Sequence, residues 1–297
     1  MNMIDKELFK VRSFSACLKS AFLTFCDNFG VITRNTWTAA LAFALLNGLA
    51  YMIPEVDFHA KPSAIFVPLV LSVLSAIAGI LVLCWLSTRF VMLLRGGSLK
   101  QLYMHNLKLA GIYVALWLVY VLLNIGICSL LTGLLKWVPA TLTGMLAIST
   151  ADLLVFCMAC LPLVYTGMRY VVEENVSIRE VFGRPYRMAW RYAGFMFITV
   201  FVTLIVLVPI IIVLGLPLHV LILAEQSNAL GMALGDASGL PENFCLLEAA
   251  VSVAVGFLMA YVLMWVMLVN YYIYTSVESR MKGKDKDKAD ADKAVTK

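Results

Sequence analysis

Charge is what this sequence has least of. Only 14% of its 297 residues are Asp, Glu, Lys or Arg, while 62% are hydrophobic. A water-soluble domain carries roughly 25% charged and about 45–50% apolar residues. So large an apolar surplus cannot be hidden in one core surrounded by water, whereas a bilayer accepts apolar side chains on the outside of a protein. A polar stretch long enough for a separate soluble domain, about 50 residues or more, is also missing. Mean hydropathy is +0.90.

Other absences narrow the chemistry. There are three histidines, His59, His105 and His219, widely separated and with no HExxH spacing, so no metal site is expected. Nucleophile-elbow, P-loop and GxGxxG patterns are lacking, and no catalytic residue or cofactor is assigned. The seven cysteines are odd in number, and Cys84, Cys128, Cys157 and Cys160 fall in apolar stretches, which suggests no disulfide framework. Cys157-Met158-Ala159-Cys160 has redox spacing but lies mid-span, where two small apolar core residues are the better reading. The first 35 residues carry Asp5, Lys6, Glu7, Lys10, Arg12 and Lys19, so no cleavable signal peptide is expected. The net charge of +5 follows topology rather than a nucleic-acid footprint.

Hydrophobic runs are abundant. A span needs about 20 apolar residues, and six are read: Thr36–Ile53, Ile65–Leu94, Leu109–Leu131, Leu142–Tyr170, Ala193–Leu216 and Leu246–Thr275. Pro68, Pro162 and Pro209 are the expected kink positions. Of the 23 Lys and Arg residues, all but Lys61 and Lys136 fall on one side of these spans. By the positive-inside rule that side, with both termini, is cytoplasmic. Span centres are almost free of ionisable groups, which argues against an ion-coupled pump. Asp152 and Glu248 lie toward the outer ends, with no evident basic partner.

The cytoplasmic segments carry helical periodicity of their own. Leu18, Phe22, Phe25, Phe29 and Ile32 recur at steps of four and three, which is one helix face. Similar segments follow Ser98, with Leu99, Leu102, Tyr103 and Leu107, and Ser177, with Val181, Phe182, Ala189 and Tyr192. Ser13, Ser98 and Ser177 are candidate N-caps, and Ser177 and Glu180 have capping-box spacing. Gly96-Gly97 reads as a break after the second span. The second span closes on Arg89-Phe90, the fourth on Arg169-Tyr170 and the sixth on Asn270-Tyr271. The reading is an all-α integral membrane protein with six transmembrane helices and three cytoplasmic interfacial amphipathic helices. It forms a threefold repeat of one amphipathic helix plus two spans, in units 13–94, 98–170 and 177–275 of a single membrane domain covering 1–280. Residues 281–297 alternate Lys, Asp and Ala and are expected to form a disordered cytoplasmic tail.

Interfacial helices opening on serine, paired spans and aromatic-rich cytoplasmic ends resemble the YciC-like six-span bacterial inner-membrane proteins. They are also similar to the membrane domain of some glycerophosphodiester phosphodiesterases. The resemblance is architectural and covers almost the whole chain. It implies a bacterial inner-membrane location and a role in envelope or membrane maintenance. It carries over no catalytic residues, because the phosphodiesterase activity belongs to a soluble domain.

The candidate site is the basic cytoplasmic set: Arg89, Arg169 and Asn270 at the span ends, and Arg184, Arg187 and Arg191 before the fifth span. Guanidinium forks match phosphate geometry, so anionic lipid headgroups are the expected partners. The same arginines could instead snorkel and fix topology. A protein partner or homo-oligomer stays open; nucleic acid is not expected. A transporter or lipid-translocating protein is the alternative, with Asn47, Asn124, Ser72, Ser75, Thr199 and Thr203 lining a polar cavity. An intramembrane enzyme has no recognisable constellation.

Overall fold

The computed structural model describes residues 10–53, 62–134, 142–173, 176–237 and 239–295, and every regular element among them is a helix. In chain order these are α1 (Phe14–Asp27), α2 (Phe29–Tyr51), α3 (Pro62–Arg95), α4 (Leu99–Ser129), α5 (Leu142–Cys160), α6 (Pro162–Val172), α7 (Arg184–Ala189), α8 (Ala193–Ala233) and α9 (Phe244–Val295). Four helical stretches are long and apolar enough to cross a membrane: Phe66–Arg95, Leu99–Ser129, Ile178–Ala233 and Phe244–Gly283. The α5–α6 pair makes a fifth if counted as one span bent by 43°. The helix over the first expected span, α2, is not among them. Arg34, Asn35, Asn47 and its threonines dilute its apolar character.

Several expectations are corrected. The interfacial helix expected after Ser98 is not separate, because α4 runs unbroken from Leu99 to Ser129. Nothing between Leu99 and Gly111 interrupts the backbone hydrogen-bond ladder, whereas Gly96 and Gly97, with φ of 78° and 102°, do break the chain just before it. The segment after Ser177 is not one amphipathic helix either. It is a 3-10 turn (Ile178–Phe182), the short α7 and a second 3-10 turn (Trp190–Tyr192). Gly183 and Pro185 divide it. The kink expected at Pro162 is present: the fourth span is broken at Leu161, where Pro162 supplies no N–H to continue the α5 ladder. The helix α9 is described as far as Val295.

Two caps hold as expected. The Ala16 N–H donates to Ser13 Oγ (3.4 Å) at the start of α1, and the Ser177 N–H donates to Glu180 Oε1 (3.2 Å). On α1 the buried positions are the small Cys17 and Ala21, while Phe14, Phe22 and Leu23 are exposed. Large apolar groups turned outward suit a helix lying at a lipid surface.

The chain divides into two compact units. One comprises Lys19–Tyr103 and Val202–Val269. Within it α2 turns a stripe of small residues inward, Thr36, Ala40, Ala44 and Gly48. A Cβ on Gly48 would lie 2.9 Å from the Ala249 carbonyl oxygen, and one on Gly256 would lie 3.2 Å from Ala44 Cα. Backbones this close are how helices associate in lipid, where hydrophobic driving force between helices is lost. The other unit comprises Ile4–Leu18, Met104–Phe201 and Asn270–Lys297. There Gly167 of α6 abuts α4, for a Cβ on it would meet the Tyr113 hydroxyl at 2.6 Å.

Candidate functional site

The second unit holds a polar cluster where the N-terminal stretch, α6 and residues 272–282 of α9 meet. Tyr165 and Tyr274, 1% and 2% exposed, face one another with ring centroids 5.8 Å apart. The Tyr165 hydroxyl donates to Glu278 Oε2 (2.7 Å) and the Tyr274 hydroxyl to Glu173 Oε1 (2.8 Å). Each carboxylate also meets a cation one helical turn away. Arg169 Nε donates to Glu173 Oε2 (3.0 Å), and Lys282 Nζ lies 3.4 Å from Glu278 Oε1. Hydrogen bonds to ionised groups are the strong ones, and they offset the cost of drawing these carboxylates out of water.

The N-terminal stretch is fastened to the same stretch of α9. Arg12 N–H donates to Ser276 Oγ (3.0 Å), and the Arg12 carbonyl accepts from Ser276 Oγ (3.2 Å) and Arg280 (2.7 Å). The Arg12 guanidinium stands 4.9 Å from the Tyr272 ring centre, and that of Arg280 stands 4.2 Å from Phe195. Just beyond, Cys17 is fully buried and donates to the Tyr272 carbonyl at 3.8 Å. Burial pushes its thiol up to about 11, although Arg12 and Arg280 favour the thiolate. Each carboxylate of the cluster has a tyrosine donor and a cation, and the cluster reads as a clasp between chain segments.

The arginines before α8 behave differently. The segment 178–192 is anchored by buried Val181 and Ala189 and by Tyr186, whose hydroxyl donates to the Ala159 carbonyl (2.6 Å) beside the α5–α6 break. Around Tyr186 runs an aromatic ladder, Phe182–Tyr186–Trp190, with centroids 6.2 and 6.4 Å apart. Arg184, Arg187 and Arg191, spaced by three and four residues, are exposed. Among the described residues none has a side-chain hydrogen bond or ion pair. Phe182, Met188 and Trp190 beside them are also exposed. Cations and large apolar groups on one tethered segment can meet phosphate and acyl chain together.

The expected site residues therefore divide. Arg169 lies in the clasp, with its Nε committed to Glu173. Asn270 is half-buried on α9. Arg89 belongs to the first unit, half-buried, with its guanidinium 5.9 Å from the Trp85 ring centre and its Nε buried without a partner among the described residues. Arg184, Arg187 and Arg191 alone share an exposed segment. Sequence reasoning missed Glu173, Glu278, Tyr165 and Tyr274. The available signal was acidic residues on the basic side, each four residues from a cation.

The polar residues of the alternative reading are partly consumed by local bonds. Asn124 donates to Asp152 (3.4 Å) and accepts from Ser149 (3.4 Å), so Asp152 has a neutral partner on α4. Thr199 donates to the Phe195 carbonyl of its own helix (2.7 Å). No group of His, Cys, Asp and Glu suited to a metal ion exists among the described residues. The chain matches no protein-family model, no curated protein and no solved structure.

Proposed function

We propose that this chain is a non-catalytic polytopic protein of the bacterial inner membrane that holds anionic lipid headgroups at its cytoplasmic face and serves envelope or membrane maintenance. In this reading both termini are cytoplasmic. The six spans form three units of interfacial segment plus helix pair: α1 with α2 and α3, the first turns of α4 with the rest of α4 and the bent α5–α6, and the 178–192 segment with α8 and α9. The resemblance to YciC-like proteins points the same way. The observation that carries the reading is the set Arg184, Arg187 and Arg191, exposed and unpaired among the described residues, beside exposed Phe182 and Trp190. A basic residue near an anionic surface contributes about 1 kcal/mol. Three together amount to roughly 3 kcal/mol, or on the order of a hundredfold in affinity.

Native mass spectrometry of the full chain in nonionic detergent, titrated with phosphatidylglycerol and phosphatidylcholine, tests it. The wild type should retain phosphatidylglycerol selectively, and R184Q/R187Q/R191Q should lose that selectivity. Undiminished selectivity in the triple variant would overturn the site. Indifference to lipid together with a reproducible protein adduct would favour a scaffold whose partner defines its role.

A further inference from the structure

The first unit contains a groove between α2, α8 and α9 with a volume of about 300 Å³. Its walls are mostly apolar, with Phe43 of α2, Ile211 and Leu218 of α8 and Met259 of α9, and its polar positions are Asn47 and Ser252. That volume is at the lower end of small-ligand pockets, about 300–1,000 Å³, room for one alkyl chain.

Helical register leads both longer walls to a carboxyl group. On α8, Leu207, Ile211 and Leu218 line the groove, and Glu225 lies seven residues beyond Leu218 on the same face. On α9, Ser252, Gly256, Met259 and Leu263 line it, and Glu248 lies one turn before Ser252. Both carboxyls thus stand at the end nearer the α8–α9 connection. Glu248 is 3% exposed, and its Oε1 has no hydrogen-bond partner among the described residues. The charged group acting on it is Glu225, of like sign, which also shares a side-chain hydrogen bond with it. A buried carboxylate whose neighbour is another carboxylate lacks the cation that would offset its desolvation.

We infer that this groove binds a single-chain amphiphile bearing a primary ammonium group, with the alkyl chain along α8 and α9 and the ammonium on Glu248 and Glu225. The inference is independent of the arginine segment, which belongs to the other unit.

The test uses the full chain in nonionic micelles and native mass spectrometry, with dodecylamine and dodecanol as probes and phosphatidylethanolamine as competitor. Wild type should hold one dodecylamine at least tenfold more abundantly than dodecanol. E248Q should remove that preference, and I211W, which fills the groove from its open side, should remove both adducts. Equal retention of amine and alcohol by wild type would overturn the inference, as would an amine adduct that survives I211W. Displacement of dodecylamine by phosphatidylethanolamine would also overturn it, by making a bilayer lipid the occupant. Should E248Q fail to fold, E225Q must lower the amine preference, and an unchanged preference there overturns the inference equally.

Discussion

Tyr165 of α6 donates a 2.7 Å hydrogen bond to Glu278 of α9, across 113 residues of sequence. With its counterpart from Tyr274 to Glu173, it converts two acidic residues on a basic face into the ties of a clasp.

Tyr165→Phe removes one of these donors and keeps the ring. Glu278 then relies on Lys282 alone among the described residues. A lost bond to a buried charged group costs about 1.5–3 kcal/mol. Thermal unfolding in detergent should show a lower midpoint for Tyr165→Phe and for Tyr274→Phe. In the double variant the losses should fall short of additive if the clasp acts as one network. A midpoint unchanged in both single variants would remove the clasp's role in stability.

Glycine positions give an internally controlled comparison. Gly48→Ala places a methyl 2.9 Å from the Ala249 carbonyl oxygen, whereas Gly30→Ala meets nothing within 4 Å. The first should destabilise by about 1–3 kcal/mol through forced separation of α2 and α9. The second should be neutral or stabilise by up to about 1 kcal/mol, since alanine is the better helix former. Equal effects at both sites would contradict the close approach of these helices.

Cys17 should resist alkylation at neutral pH while Cys26, exposed on the same helix, reacts. The Cys17 thiol lies near 11 in the folded chain against an ordinary 9.0. A raised folded value means that its contribution to stability is complete below pH 9 and declines as pH rises through about 11. Cys17→Ser should therefore lessen the alkaline loss of stability between pH 9 and 11. Prompt labelling of Cys17 in the native protein at pH 7, read by mass spectrometry, would argue against its burial.

Orientation has a direct readout in two exposed thiols, Cys26 and Cys245. With single-cysteine variants in vesicles of known sidedness, an impermeant maleimide should reach Cys26 from the cytoplasmic face and Cys245 from the opposite face. Reaction of both from one side would overturn the proposed topology.

The sequence by itself determined the helical class and the membrane as solvent, because 62% hydrophobic residues cannot be enclosed by so little charge. It also determined local events that depend on neighbouring residues: the Ser13 cap, the Ser177–Glu180 pairing and the break at Gly96-Gly97. Where the helices stop was less legible. A continuous backbone ladder joined Leu99 to Ser129 across two expected elements, whereas the bend at Pro162 was readable from the proline itself. Only tertiary structure sorted the arginines. Arg169 and Arg187 look alike in sequence, both basic and both among aromatics. Yet the first is committed to Glu173, one helical turn along the chain, a carboxylate that Tyr274 also holds from 101 residues away, while nothing among the described residues reaches the second. The Arg169–Glu173 spacing is local and readable, but that this pair is tied into a cluster with α9 rests on Tyr274, distant in sequence, and periodicity records only neighbours along one helix.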